Sequence, residues 1–121
     1  MPKPATPWLP FALLALLGLA GCGDDTAPSA TRSAATLAPS DPALAKIYDS
    51  SCKLCHANPA SGAPQAGDAQ AWQSRIAQGT DSLLDHSING FKGMPPMGMC
   101  MQCSEEEFLA LISFMSGQPV Q

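Results

Sequence analysis

Two short segments carry sulfur at spacings that can do chemistry. "CKLCH", residues 52–56, sets Cys52 and Cys55 three apart with His56 directly after. "MPPMGMCMQC", residues 94–103, holds four methionines and a second pair, Cys100 and Cys103, at the same spacing. C-x-x-C followed by His is the attachment sequence for c-type haem. Thiols three apart lie on one side of a helical turn, in reach of the two vinyl groups on one porphyrin edge. The next residue can then offer an imidazole nitrogen to iron. Cys52 and Cys55 are therefore expected as the thioether bonds to one haem c, and His56 as the proximal ligand. A closed zinc site of four cysteines is the competing use of two C-x-x-C pairs, but it leaves His56 without a purpose. A thioredoxin-like redox site needs a βαβ setting, and the chain has no alternating strand pattern.

A six-coordinate iron needs a second axial ligand. The candidates are Met94, Met97, Met99, Met101, Met115 and His86. Met94 is favoured, because Pro95 drives the residue before it into an extended backbone and Pro96 stiffens the next positions of the loop. A thioether is a weak ligand, best held by a loop with little freedom to lose. Met97 is the runner-up and His86 remains open. Met115 falls on an apolar helix stripe and reads as core; Met97, Met99 and Met101 suit packing. Cys100 and Cys103 are followed by Ser104, not His, so they are no second haem site. In an oxidising compartment two nearby thiols form a disulfide, here closing the ligand loop against the last helix.

Several elements must position these groups. The chain has 121 residues, room for one domain. Its start, "MPKPATPWLPFALLALLGLAGC", has Lys3 as a basic region and an apolar run of 13 residues from Trp8 to Ala20. Such a run is short for a membrane span and suits a signal peptide. "LAGC" resembles the bacterial lipobox, which implies a signal over residues 1–21, cleavage before Cys22 and lipid on the Cys22 thiol. A plain secretory signal or an uncleaved anchor are the alternatives, and all three export the chain. Residues 23–40 are rich in Ala, Ser, Thr, Pro and Asp and are expected, with Cys22, to form a flexible tether over 22–40. Fully extended, those eighteen residues reach at most roughly 60 Å.

The haem domain is expected over 41–121. Asp41-Pro42 starts a helix that carries Leu44, Tyr48, Cys52 and Cys55 on one face. "AQAWQSRIAQG" and "TDSLLDHSING" give two more helices, stopping at Gly79 and Gly90, with Trp72 and Ile76, then Leu84 and Ile88, as apolar pairs. "SEEEFLALISFMSG" opens with Ser104 and Glu107 as a capping box and has Phe108, Leu111, Ile112 and Met115 as its stripe. The fold class is thus all-α, about four short helices. So small a core usually needs a staple, and a large apolar cofactor would serve.

Charge excludes some functions. Without residues 1–21, which hold one lysine and no acid, five Lys/Arg face ten Asp/Glu, a net charge of −5. No basic cluster is present to hold a phosphate backbone, so nucleic acid is not expected as a partner. A weakly acidic surface serves solubility and docking to a basic patch. Asp81 and Asp85 fit a solvated face better than an acid–base pair, and no catalytic dyad stands out.

CxxCH, then "GAPQAGD", then a helix with Trp, then "INGFKGMPPMG", then C-x-x-C, resembles the class I c-type cytochromes, specifically the cytochrome c5 type. The resemblance covers residues 42–116. It implies a small all-α class I cytochrome c fold around one covalent haem, His56 and Met94 as axial ligands, and a Cys100–Cys103 disulfide. It also implies a hydrogen bond from the His56 ring to the Pro64 carbonyl, which fixes the ring and raises ligand basicity. Ala66 departs from the pattern, where a larger aliphatic residue is expected against the haem.

With both faces of iron occupied, no small-molecule substrate is activated, and Met/His ligation raises the potential. The expected function is a periplasmic, lipid-anchored one-electron carrier. Its expected partners are redox proteins: a quinol-oxidising complex as donor and a terminal oxidase or reductase as acceptor. Two rivals are a Cu(I)-binding Met/Cys-rich lipoprotein and a haem enzyme or gas sensor with a labile sixth ligand.

Overall fold

The computed structural model describes residues 1–2 and 33–121. The expected signal segment, the lipobox with Cys22, and the tether as far as residue 32 lie outside the described residues. Among the described residues there are five α-helices and no strand beyond an isolated Phe91–Met94 bridge.

The expected first helix is two. Helix α1 (Pro42–Ser50) begins as anticipated, with the Leu44 amide donating to Asp41 Oδ1 at 2.9 Å and Pro42 in its first turn. It stops at Ser51, whose φ/ψ of −136°/−85° is not helical. Ser51 Oγ donates to the Ile47 carbonyl at 2.6 Å, and Ser50 Oγ to that of Lys46 at 3.0 Å. Serine hydroxyls compete for backbone acceptors in this way and weaken helix interiors. Helix α2 (Lys53–His56) restarts as one turn, the His56 amide bonding to the Cys52 carbonyl at 2.9 Å. The break separates a packing helix, which buries Tyr48, from a turn that serves the site.

Helix α3 (Ala69–Ile76) is capped by Asp68, whose side chain accepts from the Ala71 amide. Helix α4 (Thr80–Asn89) runs between Gly79 and Gly90. It has two apolar sides where one was expected. Leu83 joins the main core, while Leu84 and Ile88 pack on a second cluster formed by Cys100, Cys103 and Phe108. Asp81 and Asp85 are exposed, as a solvated face should be. Helix α5 (Glu105–Ser116) shows the expected capping box in both directions: Ser104 N–H to Glu107 Oε2 at 2.8 Å, and Glu107 N–H to Ser104 Oγ at 3.3 Å. All four residues of its stripe are buried. Helix α5 packs on α1, α3 and α4, and Tyr48 meets Phe114 edge-on at 5.0 Å between ring centroids.

The ordered packing starts before Asp41. A 3-10 turn at Ala34–Thr36 and Leu37 pack against the main core. This corrects the expectation of a flexible tether up to Ser40. Averaged composition hides a single leucine that has a socket. The socket is Gly67, with φ +83°, where a Cβ would come within 2.7 Å of Leu37 Cδ1. Ala66 beside it is buried and lines a small pocket together with Ala34. At the other end the tail returns: Val120 is buried, and its amide donates to Ser113 Oγ at 2.9 Å.

Candidate haem site

One cleft among the described residues has mainly apolar walls, and the expected site residues converge on it: Cys52, Cys55, His56, Pro64 and Met94. Each arrives from a different local device. The α2 turn delivers both thiols and the imidazole. A loop of two tight turns brings Pro64 back over His56. Trp72 from α3, Leu83 from α4, and Ile112 and Met115 from α5 close the walls.

His56 is 6% exposed, and its Nδ1 lies 2.8 Å from the Pro64 carbonyl oxygen. A carbonyl only accepts, so Nδ1 carries the proton and donates, leaving Nε2 as a bare lone pair. Burial pushes the His56 pKa below its ordinary value; the Pro64 bond opposes this, and the Arg75 charge reinforces it. The neutral imidazole, the form that bonds iron, is favoured by both burial and the neighbouring charge. The ring is further held by Trp72, stacked at 5.4 Å and 25°. Trp72 Nε1 in turn donates to the Gln65 carbonyl at 3.0 Å.

Sequence reasoning overlooked Gln65 and Ser61. Ser61 Oγ donates to the Cys55 carbonyl at 2.7 Å, and Gln65 Nε2 donates to the Asn58 and Ala63 carbonyls at 3.2 and 2.9 Å. They tie the loop after His56 to the α2 turn. Polar residues in a Pro/Gly-rich loop gave no signal for this, because only the fold shows which carbonyls lie in reach.

Cys52 and Cys55 are unpaired and half-buried. Burial raises the Cys52 thiol pKa, partly opposed by Ser51, whose Oγ lies 3.6 Å from Sγ. By contrast Cys100 and Cys103 are joined in a disulfide, with Cα atoms 5.4 Å apart.

The sulfur loop separates its methionines. Met94 lines the cleft, and a two-residue turn fixes its backbone: Phe91 N–H to Met94 O at 3.0 Å, and Met94 N–H to Phe91 O at 2.9 Å. Its terminal methyl sits against Gly98, φ +53°, where a Cβ would approach to 3.0 Å. Met97 turns away into the disulfide cluster. Met99 reaches the cleft rim but is 59% exposed, and Met101 is 74% exposed. These last two are mostly exposed rather than buried in packing, a correction to their expected role. Met115 is core and lines the cleft wall. His86 lines the cleft too, its ring stacked on Phe91 at 3.8 Å.

The donor set fits haem c: two unpaired thiols beside a buried neutral imidazole, a thioether in the same cleft, and apolar walls. A copper site in the loop loses its thiolates, because Cys100 and Cys103 are already bonded to each other. A small helical domain with an attachment turn opening on an apolar cleft is a monohaem c-type cytochrome.

Comparisons with known proteins agree. Residues 39–115 match the family model described as cytochrome C oxidase, cbb3-type, subunit III. Cytochrome c5 of Azotobacter vinelandii is 43% identical over 68 residues, 54% of this chain and 82% of that protein. A cytochrome c-555 of Chlorobaculum tepidum is 40% identical over 75 residues, 59% of this chain and 69% of its own. A chain in the crystal structure of an electron transfer complex of nitrite reductase with cytochrome c is 40% identical. It covers 64% of this chain and 94% of itself, with a TM-score of 0.55. The chain belongs to the class I c-type cytochromes of the cytochrome c5 type, and its cofactor is one covalent haem c.

Proposed function

We propose that this cytochrome shuttles single electrons between respiratory proteins while tethered to a bacterial membrane on the periplasmic side. Cys52 and Cys55 hold the haem by thioethers, His56 and Met94 are the axial ligands, and Cys22 bears the lipid. The donor is a quinol-oxidising complex, and the acceptor a terminal oxidase or reductase. The similarity to a cytochrome c solved with nitrite reductase supports a redox protein on the acceptor side.

One observation carries the ligand assignment. The Pro64 carbonyl fixes the His56 tautomer with Nε2 free, while Met94 is the loop methionine both held in the cleft and fastened by its backbone. Bound there, haem c supplies a one-electron couple. The protein's part is to bury that couple in an apolar cleft, keep His56 neutral, and leave no open position for a substrate. A raised potential follows from Met/His ligation.

Met94→Leu tests this directly. The oxidised protein should lose its methionine–iron charge-transfer band, and the reduced protein should bind CO rapidly. A parental spectrum would assign the sixth position to another group, Met99 or His86 first. Among the described residues no helix is long and apolar enough to cross a membrane. Cys22→Ser should move the protein from the membrane pellet to the supernatant; continued pelleting would overturn the lipid anchor.

A further inference from the structure

Three consecutive residues hold His56 in place. The Pro64 carbonyl accepts from its Nδ1 at 2.8 Å. The Gln65 carbonyl accepts from Trp72 Nε1 at 3.0 Å, and the Trp72 ring stacks on the imidazole. The Ala66 amide donates to the His56 carbonyl at 2.7 Å. Gly67 ends the run, and its amide donates to the carbonyl of Met115, a cleft-wall residue on α5, also at 2.7 Å. The ring, the stacking partner and the backbone of the ligand therefore all depend on residues 64–67. Groups placed behind a metal ligand in this way fix its orientation and tune its basicity.

The same loop has a second side. Residues 61–64 line the haem cleft, whereas Ala57, Pro59 and Ala66 line a small hollow together with Ser33 and Ala34. Ala66, where a larger aliphatic residue was expected against the haem, is thus turned toward the chain that precedes the domain. Leu37 completes the contact. Gly67 has a φ of +83°, and a Cβ there would lie 2.7 Å from Leu37 Cδ1.

Residues 33–37 form a strap with its own internal bonds. Thr36 donates to the Ser33 carbonyl through N–H at 2.8 Å and through Oγ1 at 2.9 Å, and the Leu37 amide donates to the Ala34 carbonyl at 3.3 Å. Among the described residues the strap's hydrogen bonds stay within it, so its hold on the domain is apolar contact by Ala34 and Leu37.

We propose that Leu37 is a positioning residue for the iron ligand: by packing on Gly67 it keeps residues 64–66 closed over His56. A segment of tether composition, outside the helical domain, thereby sets how firmly the proximal histidine is held. This rests on the reading of His56 as the proximal ligand. Leu37 touches neither iron nor imidazole, and its effect is on how often the loop opens. A rare opening leaves the average spectrum unchanged but exposes the protons that the loop protects.

The test uses ferrous, isotope-labelled, full-length holoprotein carrying Cys22→Ser to keep it in solution. The reporters are the His56 Nδ1 proton and the Ala66 amide proton, whose exchange with deuterated water is followed by NMR. Leu37→Ser should speed both about tenfold and Leu37→Ala about threefold, the scale set by one half-buried aliphatic side chain. Leu37→Met should restore both to within about twofold of the parent. Ile88→Ala removes a comparable side chain from the Cys100–Cys103 cluster instead, and it should leave both within about twofold. The visible spectrum should stay parental throughout. Parental exchange in Leu37→Ser, equal acceleration in Ile88→Ala, or no restoration by Leu37→Met would overturn the strap's role. A parent whose His56 ring protons lack the large upfield shift of an imidazole bound beneath a porphyrin would sink the ligand reading instead, whatever Leu37 does.

Discussion

The two C-x-x-C pairs have the same spacing and opposite fates. Cys52 and Cys55 stand on a helical turn, half-buried, unpaired, and open to a cleft that also receives His56. Cys100 and Cys103 stand on a turn whose Cys103 amide bonds to the Cys100 carbonyl at 3.1 Å. They are 1% and 8% exposed, joined to each other, and packed against Phe108. Spacing fixes only that two sulfurs lie near one another. Whether they take a cofactor or take each other depends on what faces them, a cleft with an imidazole or the foot of a helix. The residue after each pair obeys the same division: His56 is aimed into the cleft, while Ser104 caps α5.

The largest effect is expected at the first pair. Cys52→Ala/Cys55→Ala should leave no pigment bound after acidic acetone extraction and should sharply reduce helical circular dichroism, since the cleft walls are the core itself. A folded, pigmented double variant would erase the difference between the pairs. At the second pair, Cys100→Ala/Cys103→Ala should keep the full haem content yet lose about 2 kcal/mol of stability, the scale expected for a short disulfide loop. Denaturant midpoints of the two holoproteins measure this. If haem content fell instead, the second pair would belong to the site after all.

Ser104→His gives the second pair the same local sequence as the first and is the sharpest test. One haem per chain is still expected by pyridine haemochrome assay, because the second pair is buried and bonded. Stability should fall by about 1 kcal/mol through the lost N-cap. Two haems per chain would show that sequence, not surroundings, decides.

Much of the site and its helices was legible in the sequence because the signals are local. The haem motif occupies five consecutive residues, and the capping box at Ser104 and Glu107 spans four. The α5 stripe is periodic, and Asp41-Pro42 announces a helix by chemistry confined to one turn. Features that depend on distant partners were hidden. Ser51 reads as one more helical position until its hydroxyl is seen on the Ile47 carbonyl. Leu37 sits in a segment of tether composition, and only Gly67, thirty positions on, explains why it packs.

By itself the sequence determined that this chain would bind a haem covalently and pointed to the two sulfurs and the histidine proposed to hold it, since that motif arises from the order of neighbouring residues along the backbone. Tertiary structure decided how the remaining sulfur was divided. Met94 went to the cleft, Met97 to the disulfide cluster, and Met99 and Met101 to the surface. Four methionines within eight positions have nearly the same local chemistry, so what distinguishes them is which part of the folded chain each one meets.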